Sequence, residues 1–114
     1  MKTSSAKAKG RRLQQEVRDL LVESFNQLLP DDVRSTGMGQ SGEDIQLSPL
    51  ARNHIPFSFE CKNQEKLNIW KAISQAEDNA GGYDPAVVFK RNRTKTYVAI
   101  PFNTFVNLLK KANG

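Results

Sequence analysis

A chain of 114 residues, 38% hydrophobic and 25% charged, has the size and composition of one globular domain with a modest core. No run approaches the roughly 18 apolar residues of a membrane span, and the single cysteine, Cys61, excludes a disulfide framework or a cysteine-based zinc cluster. Seventeen Lys and Arg against twelve Asp and Glu leave a net charge of +5, which favours a polyanionic partner, above all nucleic-acid phosphate.

The opening "MKTSSAKAKGRR" is basic but lacks the apolar block of a secretory signal. With the lone thiol, this leads to the expectation of a reducing, cytoplasmic setting. Residues 1–9 have no apolar periodicity and read as a flexible basic arm, with one domain over residues 10–114. Over residues 11–29 the apolar positions Leu13, Val17, Leu20, Leu21, Phe25 and Leu28 recur every three or four residues, the stripe of an amphipathic helix stopped by Pro30. A short strand is expected around Val33, then a glycine-bearing loop. "EDIQLSP" and "IPFSFECKN" alternate apolar and polar residues as half-buried strands do, with Pro49 and "ARNH" as a plain connection.

Ile69, Ile73, Ala76 and Ala80 share one face of a second helix, which Gly81 and Gly82 stop. "PAVVFK" and "TYVAIP" are strands, the first apolar enough for burial on both faces. "NTFVNLLKKANG" closes the chain as a helix capped by Thr104 or Asn103. The order is α-β-β-β-α-β-β-α, an α/β domain.

The chemistry concentrates in "SGEDIQLSPLARNHIPFSFECKN". Burying charge is costly unless it is paired or holds a metal, so this stretch is a solvated hairpin or a metal site. Residues two apart on a strand share a face, so Glu60 and Lys62 project together while Phe59 and Cys61 turn away. If the preceding strand pairs antiparallel, Asp44 reaches the same end of the sheet, and Glu43 beside it faces outward. Asp44, Glu60 and the backbone carbonyl of Cys61 then make a hard oxygen site for magnesium or manganese. Lys62 would orient or deprotonate an attacking water and offset charge building on a phosphate, and Phe57 and Phe59 would help exclude solvent. An isolated E-x-K reads as an ion pair on a solvated strand. Here it ends an apolar strand, follows an acid on an earlier strand, and precedes a helix in a basic protein.

Asp44 in "GEDI" with Glu60 and Lys62 in "FSFECKN" resembles the PD-(D/E)XK nuclease superfamily. "KGRRLQQEVRDLL" and "SQAEDNAGGYDPAVVFKRN" resemble small four-way (Holliday) junction resolvases of archaea and phages, over roughly residues 9–100. The resemblance implies a restriction-endonuclease-like core, a mixed sheet of about five strands flanked by helices, and metal-dependent cleavage of DNA, expected to be branched. A glutamate usual on the first helix of such resolvases falls here at Gln14. Glu16, about 200° round the helix, is the alternative in a shifted register. Gln75 matches a glutamine common in these nucleases, a contact to Lys62 or the water.

Lys9, Arg11, Arg12, Arg34, Arg91 and Arg93 are the candidate DNA contacts, with Ser35 and Ser41 as phosphate ligands in the glycine-bearing loop. Trp70 is expected in the core or a dimer contact, His54 on the surface, and Cys61 as a buried, inert thiol. A homodimer is expected, because a two-fold branched substrate needs two matched cuts. The alternatives are a phage nickase, a restriction-like or homing endonuclease of the same fold, or a non-catalytic nucleic-acid-binding module.

Overall fold

A computed structural model describes residues 3–36 and 42–114. The first helix, α1 (Thr3–Ser24), begins earlier than the sequence suggested, with residues 3–9 helical; Leu13, Val17 and Leu21 of the expected stripe face the core, whereas Leu20 is 64% exposed. The helix also ends earlier. The Ser24 hydroxyl donates to the Leu20 carbonyl at 2.6 Å, and residues 25–29 leave the helix so that Leu28 and Phe25 can fold into the core. Pro30 therefore opens a short 3-10 turn (Pro30–Asp32) and does not terminate the helix. Arg18 holds that turn against the helix, donating to the carbonyls of Val33 at 2.8 Å and Pro30 at 2.7 Å.

Strands β1 (Val33–Ser35) and β2 (Ile45–Leu47) form an antiparallel pair, with Val33 opposite Leu47 and Ser35 opposite Ile45. The expected plain connection is instead a short helix, α2 (Pro49–His54). Ser48 caps it, accepting from the Ala51 N–H at 3.1 Å, and Pro49 occupies the first turn, where its missing N–H is harmless. Asp32 ties this helix to the turn before β1 by accepting from the Ser48 hydroxyl at 2.7 Å and the Leu29 N–H at 2.8 Å.

Strand β3 (Phe57–Asn63) runs parallel to β4 (Asp84–Lys90), with helix α3 (Ile69–Asn79) as the crossover. Strand β5 (Tyr97–Ala99) pairs antiparallel with β4, and helix α4 (Phe102–Asn113) closes the chain. The mixed sheet thus has the order β3-β4-β5 beside the separate β1-β2 pair. This is an α/β architecture compatible with a restriction-endonuclease-like core, and β4 is internal, as its apolar run required. Gly81 follows α3 with φ +63°, a left-handed position that suits glycine. Helix α4 starts at Phe102 after Pro101 with no side-chain cap; Thr104 is buried within it, so neither Thr104 nor Asn103 caps it.

The sheet separates two apolar layers. On one face Phe59, Cys61, Ala86 and Val88 pack with Leu13 and, at its margin, Val17 and Leu21 of α1. On the other Val87 meets Ala72 and Ala76 of α3, with Ile69, Ile73, Phe89 and Ala99 around them. Small residues on α3 let the helix lie close to the sheet. Trp70 is 76% exposed, which removes it from the core.

Because the Ser48 cap joins α2 to β1, Ser48→Ala is expected to lower the unfolding free energy by about 1–2 kcal/mol. Urea denaturation followed by circular dichroism measures this.

Candidate metal and nuclease site

Alternation along β3 puts Ser58, Glu60 and Lys62 on the α3 side and Phe57, Phe59 and Cys61 on the α1 side, as the sequence implied. Glu60 is 2% exposed, an acid inserted between sheet and helix. Its partner is Asn79, whose amide donates to Glu60 Oε2 at 3.2 Å. Gln75, one helical turn earlier, is exposed on α3. Asn79 is thus the side chain of α3 that reaches the acid, a residue the sequence reading passed over. The i, i+4 relation to Gln75 on the same helix face was the available signal.

Asp44 arrives from the opposite direction. It does not belong to an extended strand ladder with β3, as the antiparallel expectation supposed. A single residue makes the junction: the Asp44 N–H donates to the Phe59 carbonyl at 2.8 Å, and Asp44 Oδ2 accepts from the Cys61 N–H at 2.7 Å. Backbone and side chain together occupy the outer edge of β3, the edge that β4 leaves uncovered. The Thr36 N–H donates to the Asp44 carbonyl at 2.9 Å and holds the residue from the β1 side.

Glu43 corrects a second expectation. It faces inward, pairing with Arg52 of α2 and accepting from the Ser58 hydroxyl at 3.3 Å. Strand alternation does not govern it, because β2 begins only at Ile45. Arg52 also donates to the Phe57 carbonyl at 2.8 Å and lies 4.1 Å from the centre of the Tyr83 ring. Since the Ser58 hydroxyl also lies 3.4 Å from the Asn79 carbonyl, a continuous polar chain runs from Arg52 through Glu43, Ser58 and Asn79 to Glu60.

Burial pushes the Asp44 carboxyl above the ordinary range, opposed by the Cys61 N–H and the Lys62 charge. Burial also raises Glu60, and the Asp44 charge adds to it; Asn79 and Lys62 oppose the shift, while Glu43 reinforces it. The Cys61 thiol is pushed far up, first by burial and then by the two acids, which leaves it inert as expected. Two desolvated acids with one cation beside them lack positive charge. Asp44 and Glu60 each engage one oxygen with a protein donor, Asp44 through Oδ2 and Glu60 through Oε2. The N–H and C=O of a strand residue share an edge, so the Cys61 carbonyl lies on the Asp44 side. This donor set suits a hard divalent cation that keeps several waters, and Asp44, Glu60 and the Cys61 carbonyl would hold it. Among the described residues, no ready-made group of three or more His, Cys, Asp or Glu is present.

Gln14 is buried on α1 at 3% exposure, whereas Glu16 is exposed, so of the two candidates the interior receives the neutral one. Ser35 donates to Gln15 at 3.3 Å, which brings the end of β1 beside α1 one turn beyond Arg11 and Arg12. Arg11, Arg12, Arg34, Arg91 and Arg93 are exposed and Lys9 is half-buried. Arg34 lies 3.9 Å from Asp31, and Ser41 lies outside the described residues. His54 is half-buried, its ring 5.8 Å from that of Phe25.

A family model described as "Phage putative PDDEXK endonuclease" matches residues 5–113. No curated protein and no solved structure matches the chain. The match spans nearly the whole chain, which therefore belongs to this phage family of the PD-(D/E)XK superfamily. No described helix is long and apolar enough to cross a membrane.

Two outcomes follow for the protein without metal. An acid raised in the native state keeps its proton longer there than in the unfolded chain. Its contribution is fully present below the ordinary carboxylate range and is lost as pH rises through the elevated native values. Glu60→Gln should accordingly raise Tm at pH 7 in EDTA by about 4 °C or more, with the gain vanishing near about pH 4. Arg52→Ala should destabilise by about 2–4 kcal/mol by stranding Glu43, and Glu43→Gln added to it should recover part of the loss. Thermal and urea unfolding at two pH values check both.

Proposed function

We propose that the protein is a divalent-metal-dependent DNA endonuclease, using magnesium or manganese, that prefers branched DNA and acts as a homodimer in the cytoplasm of an infected cell. One observation carries the catalytic part: two desolvated carboxylates, the half-buried Asp44 and the buried Glu60, stand beside Lys62 in a chain of a PDDEXK endonuclease family.

When a cation is bound, it supplies Lewis acidity toward the phosphate and a more acidic water. The remaining work falls to the chain. The Cys61 N–H fixes the Asp44 carboxylate, and Asn79 fixes that of Glu60, so both are oriented before substrate arrives. Lys62 places positive charge where negative charge builds on the phosphate, and is the group positioned to steer the attacking water. Gln14, buried on α1, is a neutral acceptor where an acid is usual in the resembling resolvases.

Branched DNA is favoured by the resemblance to junction resolvases. The homodimer is supported by solvent-exposed apolar side chains on α4, where Phe102 is 75%, Phe105 46% and Leu109 45% exposed, and by Trp70 nearby in the fold. A groove of about 330 Å³ lies between Trp70 and Phe102.

Cleavage of labelled four-way junctions and linear duplex, in magnesium and in EDTA, tests the proposal. The wild type should cut the junction in magnesium only. Asp44→Asn, Glu60→Gln and Lys62→Ala should each slow cutting by about 10²–10³ or more while retaining binding. Unimpaired cutting by any of them refutes the site. Equal cutting of duplex by a particle of the 12.8 kDa chain mass removes the junction and dimer parts.

A further inference from the structure

The strand register places Lys62 opposite Phe89, and Phe89 opposite Tyr97. Cross-strand partners share a face, so these three side chains form a row across β3, β4 and β5 on the α3 side. The row runs outward from the candidate catalytic lysine. Phe89 is half-buried under α3, and its ring centre is 6.2 Å from that of Tyr97, which is 56% exposed. Beyond the row lies a cleft of about 450 Å³ at the C-terminal ends of the parallel strands, lined by Phe89, Lys90, Arg91, Thr94 and Tyr97 among others. Open α/β sheets commonly bind ligands at that end.

The cleft wall is held in place. Thr94 accepts from the Arg91 N–H at 3.1 Å, and the Glu65 carboxylate accepts from the Asn92 N–H at 2.6 Å. Glu65 is the acid among the lining residues, and it is engaged by the turn. Against its one negative charge stand Lys90 and Arg91 in the cleft, with Arg93 further along the same turn, so the cleft is net positive.

We propose that this cleft is a stacking subsite for one unpaired nucleotide of the DNA substrate. Tyr97, backed by Phe89, receives the base, and Lys90 and Arg91 receive its phosphate. The inference rests on the nuclease reading and gives that site a substrate class: DNA with an unpaired nucleotide next to the scissile phosphate. Two strand spacings, about 10 Å, separate the backbone at Lys62 from that at Tyr97. A phosphate at the lysine therefore places an adjoining nucleotide over the cleft. In continuous duplex both faces of each base are covered by its neighbours, so a paired base cannot lie flat on Tyr97. A base splayed out at a branch, flap or gap can, and aromatic stacking accepts any of the four bases.

The test is binding in EDTA, where no strand is cut, so it is independent of whether Asp44 and Glu60 catalyse. The full chain is titrated into two fluorescein-labelled probes of the same length, a paired duplex and a duplex with a short single-stranded gap. Tyr97→Ala is expected to weaken gapped-probe binding about tenfold and to leave duplex binding within about twofold, with Tyr97→Phe behaving as the wild type. A 2-aminopurine in the gap should be quenched by the wild type and not by Tyr97→Ala. Equal weakening on both probes, or no weakening, overturns the subsite. So does a halving of the sedimentation mass by Tyr97→Ala, which would assign this edge to contact between protein copies. Loss of cutting by Glu60→Gln with the stacking difference intact would leave both readings standing. Unimpaired cutting by Glu60→Gln would refute the nuclease site alone.

Discussion

Everything at the site depends on how Asp44 docks on the uncovered edge of β3. Its N–H and its carboxylate take two successive backbone groups of that strand, the Phe59 carbonyl and the Cys61 N–H. The two hydrogen bonds satisfy polar groups that burial would otherwise strand, and they join the β1-β2 pair to the main sheet. They also fix one carboxylate beside another. Desolvation raises both acids, and the Asp44 charge raises Glu60 further. Such a fold gives up stability in the metal-free state for a site that attracts positive charge, as functional sites commonly do.

Around that edge, a few residues serve packing and electrostatics together. On α3, Ala72 and Ala76 allow close approach to Val87, and that closeness lets Asn79 reach Glu60. On α2, Arg52 neutralises Glu43, caps the Phe57 carbonyl and lies over Tyr83. A third acid can therefore sit next to Asp44 without adding its full charge to the repulsion. Membership in a phage endonuclease family fits this arrangement: two oriented acids, one lysine and a basic exterior are what metal-assisted attack on a phosphodiester requires.

The two halves of the sheet have different characters. The β3 half carries acids and a lysine, and the β5 half carries aromatic rings and cations. A strand register couples them: Lys62 lies opposite Phe89 and Phe89 opposite Tyr97, so the proposed phosphate and base positions would fall to neighbouring nucleotides of one DNA strand. Helix α4 and Trp70, with large apolar groups in solvent, form a third surface apart from that row.

Period and punctuation in the sequence determined most of the elements. The alternation of "FSFECKN" placed Glu60 and Lys62 on one face, the apolar run at residues 86–89 made β4 internal, and the stripe of α1 faced the core. These are local rules, and local rules suffice where one face is buried and the other is not. The rest was decided by contacts between segments distant in the chain. Pro49 and "ARNH" read as a plain connection but form α2, and Arg52 acquired a role only because Glu43 came within reach of it. Glu43 turned inward because the strand starts after it, and Asn79 reaches Glu60 because α3 is set on the sheet by its alanines. Trp70 and the ends of α1 went against local expectation for the same reason. A helix extends, stops or exposes a ring according to what the neighbouring layer can cover, and a sequence read one segment at a time does not contain that layer.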